Sequence, residues 1–147
     1  DYSAIVILAQ DTQTKVCYVI AADLVRKPPH DAINLIVEHA RLRPIELLAI
    51  EANGFQETLE RDLRAAAERA GVRLRISPVR NTGEKKGRIE LLEPAVCQGA
   101  VRFCRSHTLL NEQMRQFPLG AHDDGPDALE MAFHAARAPQ AKVWVCR

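Results

Sequence analysis

Two aliphatic runs stand close together near the start of the chain, Tyr2–Gln10 (YSAIVILAQ) and Lys15–Ala22 (KVCYVIAA), with only Asp11-Thr12-Gln13-Thr14 between them. Those four residues supply turn chemistry, so the runs are expected to form a hairpin and pair antiparallel. The next segment has a helical period. Pro28 and Pro29 are tolerated only in a first helical turn, and Ala32, Ile33, Ile36, Val37 and Ala40 recur at helical spacing up to a stop before Pro44. Ile45–Ile50 is then a short apolar run broken once, by Glu46, which suits an interior strand entered from a crossover helix. A hairpin followed by helical crossovers specifies an α/β domain.

The remainder continues the alternation. Asn53-Gly54 interrupts the strand, and Phe55, Leu59, Leu63, Ala66, Ala67 and Ala70 mark one face of a helix that Gly71 ends. Leu74–Val79 is expected to be a strand, with Pro78 placing it at an edge or exit. Glu84–Val96 has the pattern of a helix that Pro94 kinks or stops. A brief strand, Ala100–Phe103, a helix over Leu109–Phe117 and a last helix from about Asp124 complete the order. Pro126 falls in that helix's first turn, and Ala128, Leu129, Ala132, Phe133 and Ala136 form its buried stripe.

At 147 residues the chain fits one domain able to bury a core of its own. A formal net charge of +1 gives no global pull toward nucleic acid or membrane, so any polyanion site must be local. No signal peptide or membrane span is recognisable, and a soluble cytosolic protein is expected. Cys17, Cys97, Cys104 and Cys146 form no C-x-x-C pair and are read as free thiols.

Chemistry concentrates at two acidic places. Glu51 ends the apolar run, where open α/β sheets place ligands and where an ionised side chain must be paired, solvated or bound to metal. A carboxylate that merely pairs locally is the plainer alternative. Asp123 and Asp124 precede a helix with Asp127 in its first turn. One of them could simply cap that helix, but capping requires a single carboxylate, and three at this spacing repel unless a cation separates them. Oxygen ligands without a thiolate favour Mg2+ or Mn2+ over zinc. His122, beside the pair, could orient a water, donate a proton, ligate, or be a loop residue bonded to its neighbours. His30, His39, His107 and His134 show no constellation.

Between Arg73 and Arg88 six basic residues, Arg73, Arg75, Arg80, Lys85, Lys86 and Arg88, face one acid, Glu84. With Asn81-Thr82-Gly83 in the same stretch, this suits contact with a phosphate backbone, against the alternative of a solvated basic face.

The order of Asp1-Tyr2-Ser3-Ala4-Ile5-Val6, Ile50-Glu51-Ala52-Asn53-Gly54-Phe55-Gln56, Leu92-Glu93-Pro94, Gln116-Phe117-Pro118 and His122-Asp123-Asp124-Gly125-Pro126-Asp127-Ala128-Leu129-Glu130 resembles the C-terminal nuclease domain of the terminase large subunit of tailed bacteriophages and prophages. The likeness runs from Asp1 to about Arg137. It implies a ribonuclease H-like mixed sheet flanked by helices. It also implies a two-metal endonuclease that cuts concatemeric double-stranded DNA during genome packaging in the bacterial cytoplasm. Portal and small terminase subunit would be its partners. By that resemblance Glu51, Asp124 and Asp123 hold the two Mg2+ or Mn2+ ions, with His122, Asp127 and Asp1 in support. Arg80, Lys85, Lys86 and Arg88 are the expected DNA contacts.

In the family a further metal-bridging aspartate lies on a first strand ahead of the segment matched by Asp1–Val6, and residues 1–147 do not include it. Without that strand the sheet keeps unpaired edges, which are costly. Ala141–Cys146 (AKVWVC), after Pro139, is expected to pair with the orphaned edge or to swap into a second copy of the chain. Two other functions remain open: an inactive prophage remnant serving as a DNA-binding or assembly module, and another ribonuclease H-like nuclease of the resolvase or transposase type.

Overall fold

The computed structural model describes residues 2–52 and 56–138. Strands β1 (Ser3–Gln10) and β2 (Cys17–Val25) form the expected antiparallel hairpin, from Ser3 opposite Val25 to Gln10 opposite Cys17. Asp11 closes the turn. Its Oδ1 accepts the backbone amides of Gln13 at 2.8 Å and Thr14 at 2.7 Å, and these hold its carboxyl below the usual range.

The second strand reaches three residues beyond the expected Ala22. A bulge explains the extension: Ile7 faces Ala21 while Leu8 faces Val19, so Ile20 is the extra residue and the inward-facing parity of β2 changes there. Before the bulge, Val19 is in the core; after it, Ala22 and Leu24 pack against the same cluster. Asp23 is consequently turned to the other side of the hairpin.

Helix α1 (Pro29–Leu42) carries Pro in its first turn and stops at Arg43, as the prolines dictate. Strand β3 (Leu48–Glu51) is shorter than the Ile45–Ile50 run, and α2 (Gln56–Arg69) ends at Gly71, whose φ of +69° permits the reversal. Strand β4 (Ile76–Val79) lies parallel to β3, with Pro78 opposite Ile50. Among the described residues β3 pairs with β4 alone.

The single helix expected over Glu84–Val96 is two, α3 (Lys85–Glu90) and α4 (Glu93–Cys97). Pro94 is the cause, since it sits at the start of α4, where it needs no hydrogen-bond acceptor. Strand β5 (Val101–Arg102) adds to β2 in parallel, and α5 (Thr108–Gln116) and α6 (Asp124–Arg137) come next. The described strands therefore make two sheets, in the orders β1-β2-β5 and β3-β4.

Each sheet has its own core. Val19, Leu92, Val101, Leu110 and Leu129 pack the three-stranded sheet against α5 and α6, while Ile33, Leu63 and Ile76 join α1, α2 and β4. Cys17, Cys97 and Cys104 are free thiols, as expected; Cys146 lies outside the described residues, as do Asp1 and the segment Ala141–Cys146. Among the described residues no helix is long and apolar enough to cross a membrane.

Candidate functional site

Four acidic residues, Asp123, Asp124, Asp127 and Glu130, enter the structure on or just before the first two turns of α6. Asp123 occupies the N-cap position, yet its side chain makes no capping hydrogen bond. Its Oδ1 instead accepts from Lys85 Nζ at 2.7 Å. Asp124 Oδ2 accepts the backbone amide of Tyr2 at 3.1 Å, tying the start of α6 to the start of β1. Neither carboxylate makes a capping hydrogen bond, while Asp124 and Asp127 lie in the first turn of α6, where acids complement the helix dipole.

Helix α3 lies across α6 through two cations. Lys85 Nζ is also 3.5 Å from Asp127 Oδ2; Arg88 Nη2 donates to Asp127 Oδ1 at 2.7 Å, and Arg88 Nε is 3.5 Å from Glu130 Oε2. The last contact is an ion pair without a hydrogen bond, because Arg88 Nε is buried with no acceptor in bonding geometry. Burial alone would lower the Lys85 ammonium, but the hydrogen bond to Asp123 and the charges of Asp127, Asp123 and Asp124 outweigh it and raise the group above its ordinary value. Burial also pushes the Glu130 carboxyl up, with Arg88 and His134 opposing and Asp127 adding to the rise.

Glu51 ends β3, half-buried, and its Oε1 accepts from Asn81 Nδ2 at 3.3 Å. Asn81 lies just past β4, and four residues later Lys85 reaches Asp123. This short path brings Glu51 to the end of the molecule where α6 begins. Glu51, Lys85, Asp124 and Asp127 all line one cavity of 1360 Å³ that runs between β1 and β3.

His122 Nε2 lies 3.0 Å from Arg26 Nη2. Arginine can only donate, so that nitrogen accepts and the imidazole proton is assigned to Nδ1. The Arg26 guanidinium also lies 4.5 Å over the Tyr2 ring, which meets His122 edge-on at 5.1 Å.

Of the expected DNA contacts, Arg80 is exposed beyond β4 and Lys86 is exposed 3.8 Å from Glu90. Lys85 and Arg88 are instead directed into the α6 carboxylates. Among the described residues no three His, Cys, Asp or Glu side chains converge as a metal-holding group. Glu51, Asp124 and Asp127, which line the cavity, present hard carboxylate oxygens, and these fit the chemistry of Mg2+ or Mn2+.

One cluster escaped the sequence. His39, expected to have no constellation, bonds through Nε2 to Asp23 Oδ2 at 2.5 Å and through Nδ1 to Arg43 Nη1 at 2.7 Å. His39 and Arg43 are spaced i, i+4 on and just beyond α1, which was a visible signal. Asp23 was hidden because its orientation depends on the β2 bulge. A scan against protein-family models gives no match to this chain, and a search of curated proteins gives none either.

Proposed function

We propose that this chain is a ribonuclease H-like, metal-dependent endonuclease domain of the terminase large-subunit kind, cutting double-stranded DNA during genome packaging in a bacterial cytoplasm. The observation that supports the proposal is that two acids distant in sequence, Glu51 at the end of β3 and Asp124 at the start of α6, line the same cavity. Glu51 and Asp124, with Asp123, are the residues that would hold Mg2+ or Mn2+. Bound there, such ions supply Lewis-acid activation of water and charge neutralisation at the leaving oxygen.

The chain's own groups have separable tasks. Asn81 orients Glu51 and the Tyr2 amide orients Asp124, so both carboxylates are positioned before any ligand arrives. Lys85 and Arg88 neutralise Asp123, Asp127 and Glu130, which limits repulsion within the acidic turn. Arg80 and Lys86 are exposed and are the cations available to phosphate. The portal and the small terminase subunit are the assembly partners that the resemblance implies.

A second function has its own support: Lys85 already satisfies Asp123, which suits a non-cleaving DNA-binding or assembly module. Supercoiled plasmid with the purified chain and millimolar Mn2+ separates the two. Endonuclease function requires nicking that Glu51→Gln and Asp124→Asn each abolish, together with Mn2+ binding by calorimetry. Salt-dependent DNA retention without nicking or Mn2+ binding would establish the module instead.

A further inference from the structure

We propose that Arg26, held in place by Tyr2 and His122, binds a backbone phosphate of a DNA strand passing the acidic end of the molecule. This deepens the nuclease function and rests on it for the course of the strand.

The site is built by strand register. Ser3 pairs with Val25, so the next positions outward on the hairpin, Tyr2 and Arg26, stand opposite each other. They do so only because of the bulge at Ile20: carried unbroken from Gln10 opposite Cys17, the register would set Tyr2 against Val25. The guanidinium of Arg26 lies 4.5 Å from the centre of the Tyr2 ring, and its Nη2 donates to His122 Nε2 at 3.0 Å. Tyr2 and His122 in turn meet edge-on. Three side chains, from the start of β1, the end of β2 and the loop before α6, therefore brace one another.

What sets this cation apart is its lack of a counter-charge. Lys85, Lys86 and Arg88 each have a carboxylate within 4.0 Å, whereas among the described residues Arg26 has none and its hydrogen bond goes to a ring nitrogen. A guanidinium carries five N–H donors, and Arg26 is exposed, so most of them lack a protein acceptor among the described residues. Because His122 Nε2 accepts, its proton is on Nδ1, a further donor to which no described group is bonded. Lys27, exposed and without an ion pair among the described residues, follows directly. The Tyr2 ring fixes the guanidinium plane in advance, which reduces the side-chain freedom that binding would otherwise cost.

Position identifies the ligand. The Tyr2 amide donates to Asp124 Oδ2 at 3.1 Å and His122 stands two residues before Asp124, so the braced arginine adjoins the carboxylates at the start of α6. A divalent ion on those carboxylates and a guanidinium beside them both take anionic oxygen. A strand offers both of them successive phosphates, and the arginine fork matches two oxygens of one phosphodiester.

The full chain is compared with Arg26→Gln, Arg26→Lys and Tyr2→Leu by duplex titration over a range of salt, Mn2+ calorimetry and plasmid nicking. Arg26→Gln should bind duplex about 10-fold more weakly and lose about 1 from the slope of log affinity against log salt, with Mn2+ binding not weakened and the nicking defect in KM rather than kcat. Arg26→Lys should recover the slope but not the full affinity, since an ammonium keeps the charge without the fork. Tyr2→Leu, which retains the amide that Asp124 accepts, should weaken binding about 3-fold at unchanged slope. Wild-type affinity and slope in Arg26→Gln overturn the phosphate site and leave the nuclease function standing if the wild-type chain nicks. A wild-type chain that neither nicks nor binds Mn2+ overturns the nuclease function, and the slope of Arg26→Gln then decides the phosphate site by itself. Millimolar inorganic phosphate at constant ionic strength that brings wild-type affinity down to that of Arg26→Gln would assign the site to a free anion and overturn the strand assignment.

Discussion

Arg88 on α3 and Asp127 on α6 form a largely buried ion pair, Nη2 to Oδ1 at 2.7 Å, with side chains only 18% and 12% exposed. The pair lies 39 residues apart in sequence and fixes the helix that carries Asp124 against the segment just past Asn81. Removing one partner leaves a desolvated charge behind, which costs far more than the net worth of the pair. Arg88→Leu is therefore expected to lower unfolding free energy by about 3 kcal/mol in urea titrations. Arg88→Leu/Asp127→Leu should be clearly less destabilised than the sum of its single variants, and strict additivity would mean the two charges do not interact.

Gly125, the second residue of α6, donates its amide to the buried Gln113 Oε1 at 2.8 Å. A Cβ at that position would meet Leu24 Cδ2 at 2.8 Å, Gln113 Oε1 at 2.9 Å and Leu110 Cδ1 at 3.0 Å. Gly125→Ala should cost about 1–3 kcal/mol through overpacking, despite alanine's better helix propensity. A thermal melt showing a stabilised variant would mean that α6 shifts freely at this turn.

Glu130 supplies a pH signature. Its carboxyl is raised by burial, so the native state holds the proton to higher pH than the unfolded chain does. The linked contribution favours the native state below the unfolded pKa and is lost as pH rises through the folded one. Compared with Glu130→Gln, the wild-type chain should lose relative stability as pH rises from the ordinary glutamate range through the raised value of the folded carboxyl. A stability difference that is flat or grows with pH would show that Arg88 dominates the site.

DNA binding should depend on the exposed cations rather than on those spent inside. Lys86→Ala and Arg80→Ala are each expected to weaken duplex binding and to reduce the slope of log affinity against log salt by about 1, without changing the fold. Asp124→Asn should instead leave DNA binding intact while reducing Mn2+-dependent nicking by at least ~100-fold. Plasmid nicking that survives the substitution would place the chemistry elsewhere.

Much of this architecture was written locally. The Asp11 turn, the prolines at the starts of α1, α4 and α6 and the glycine after α2 act within a few residues, so composition and period determined the hairpin, the order of helices and strands, and the α/β class. Glu51, Asp123 and Asp124 could likewise be picked out, because acids are conspicuous at a strand end and a helix start. Their companions could not: Lys85 reaches Asp123 across 38 residues and Asn81 reaches Glu51 across 30, and no local pattern encodes such pairs. The β2 bulge was equally silent, and it alone turns Asp23 toward His39. The sequence by itself determined which segments coil and which extend, since those choices rest on backbone sterics and short-range bonds. Only the tertiary structure decided which charges neutralise one another and which edges border the cavity, since desolvation and strand pairing act between elements that the chain keeps far apart.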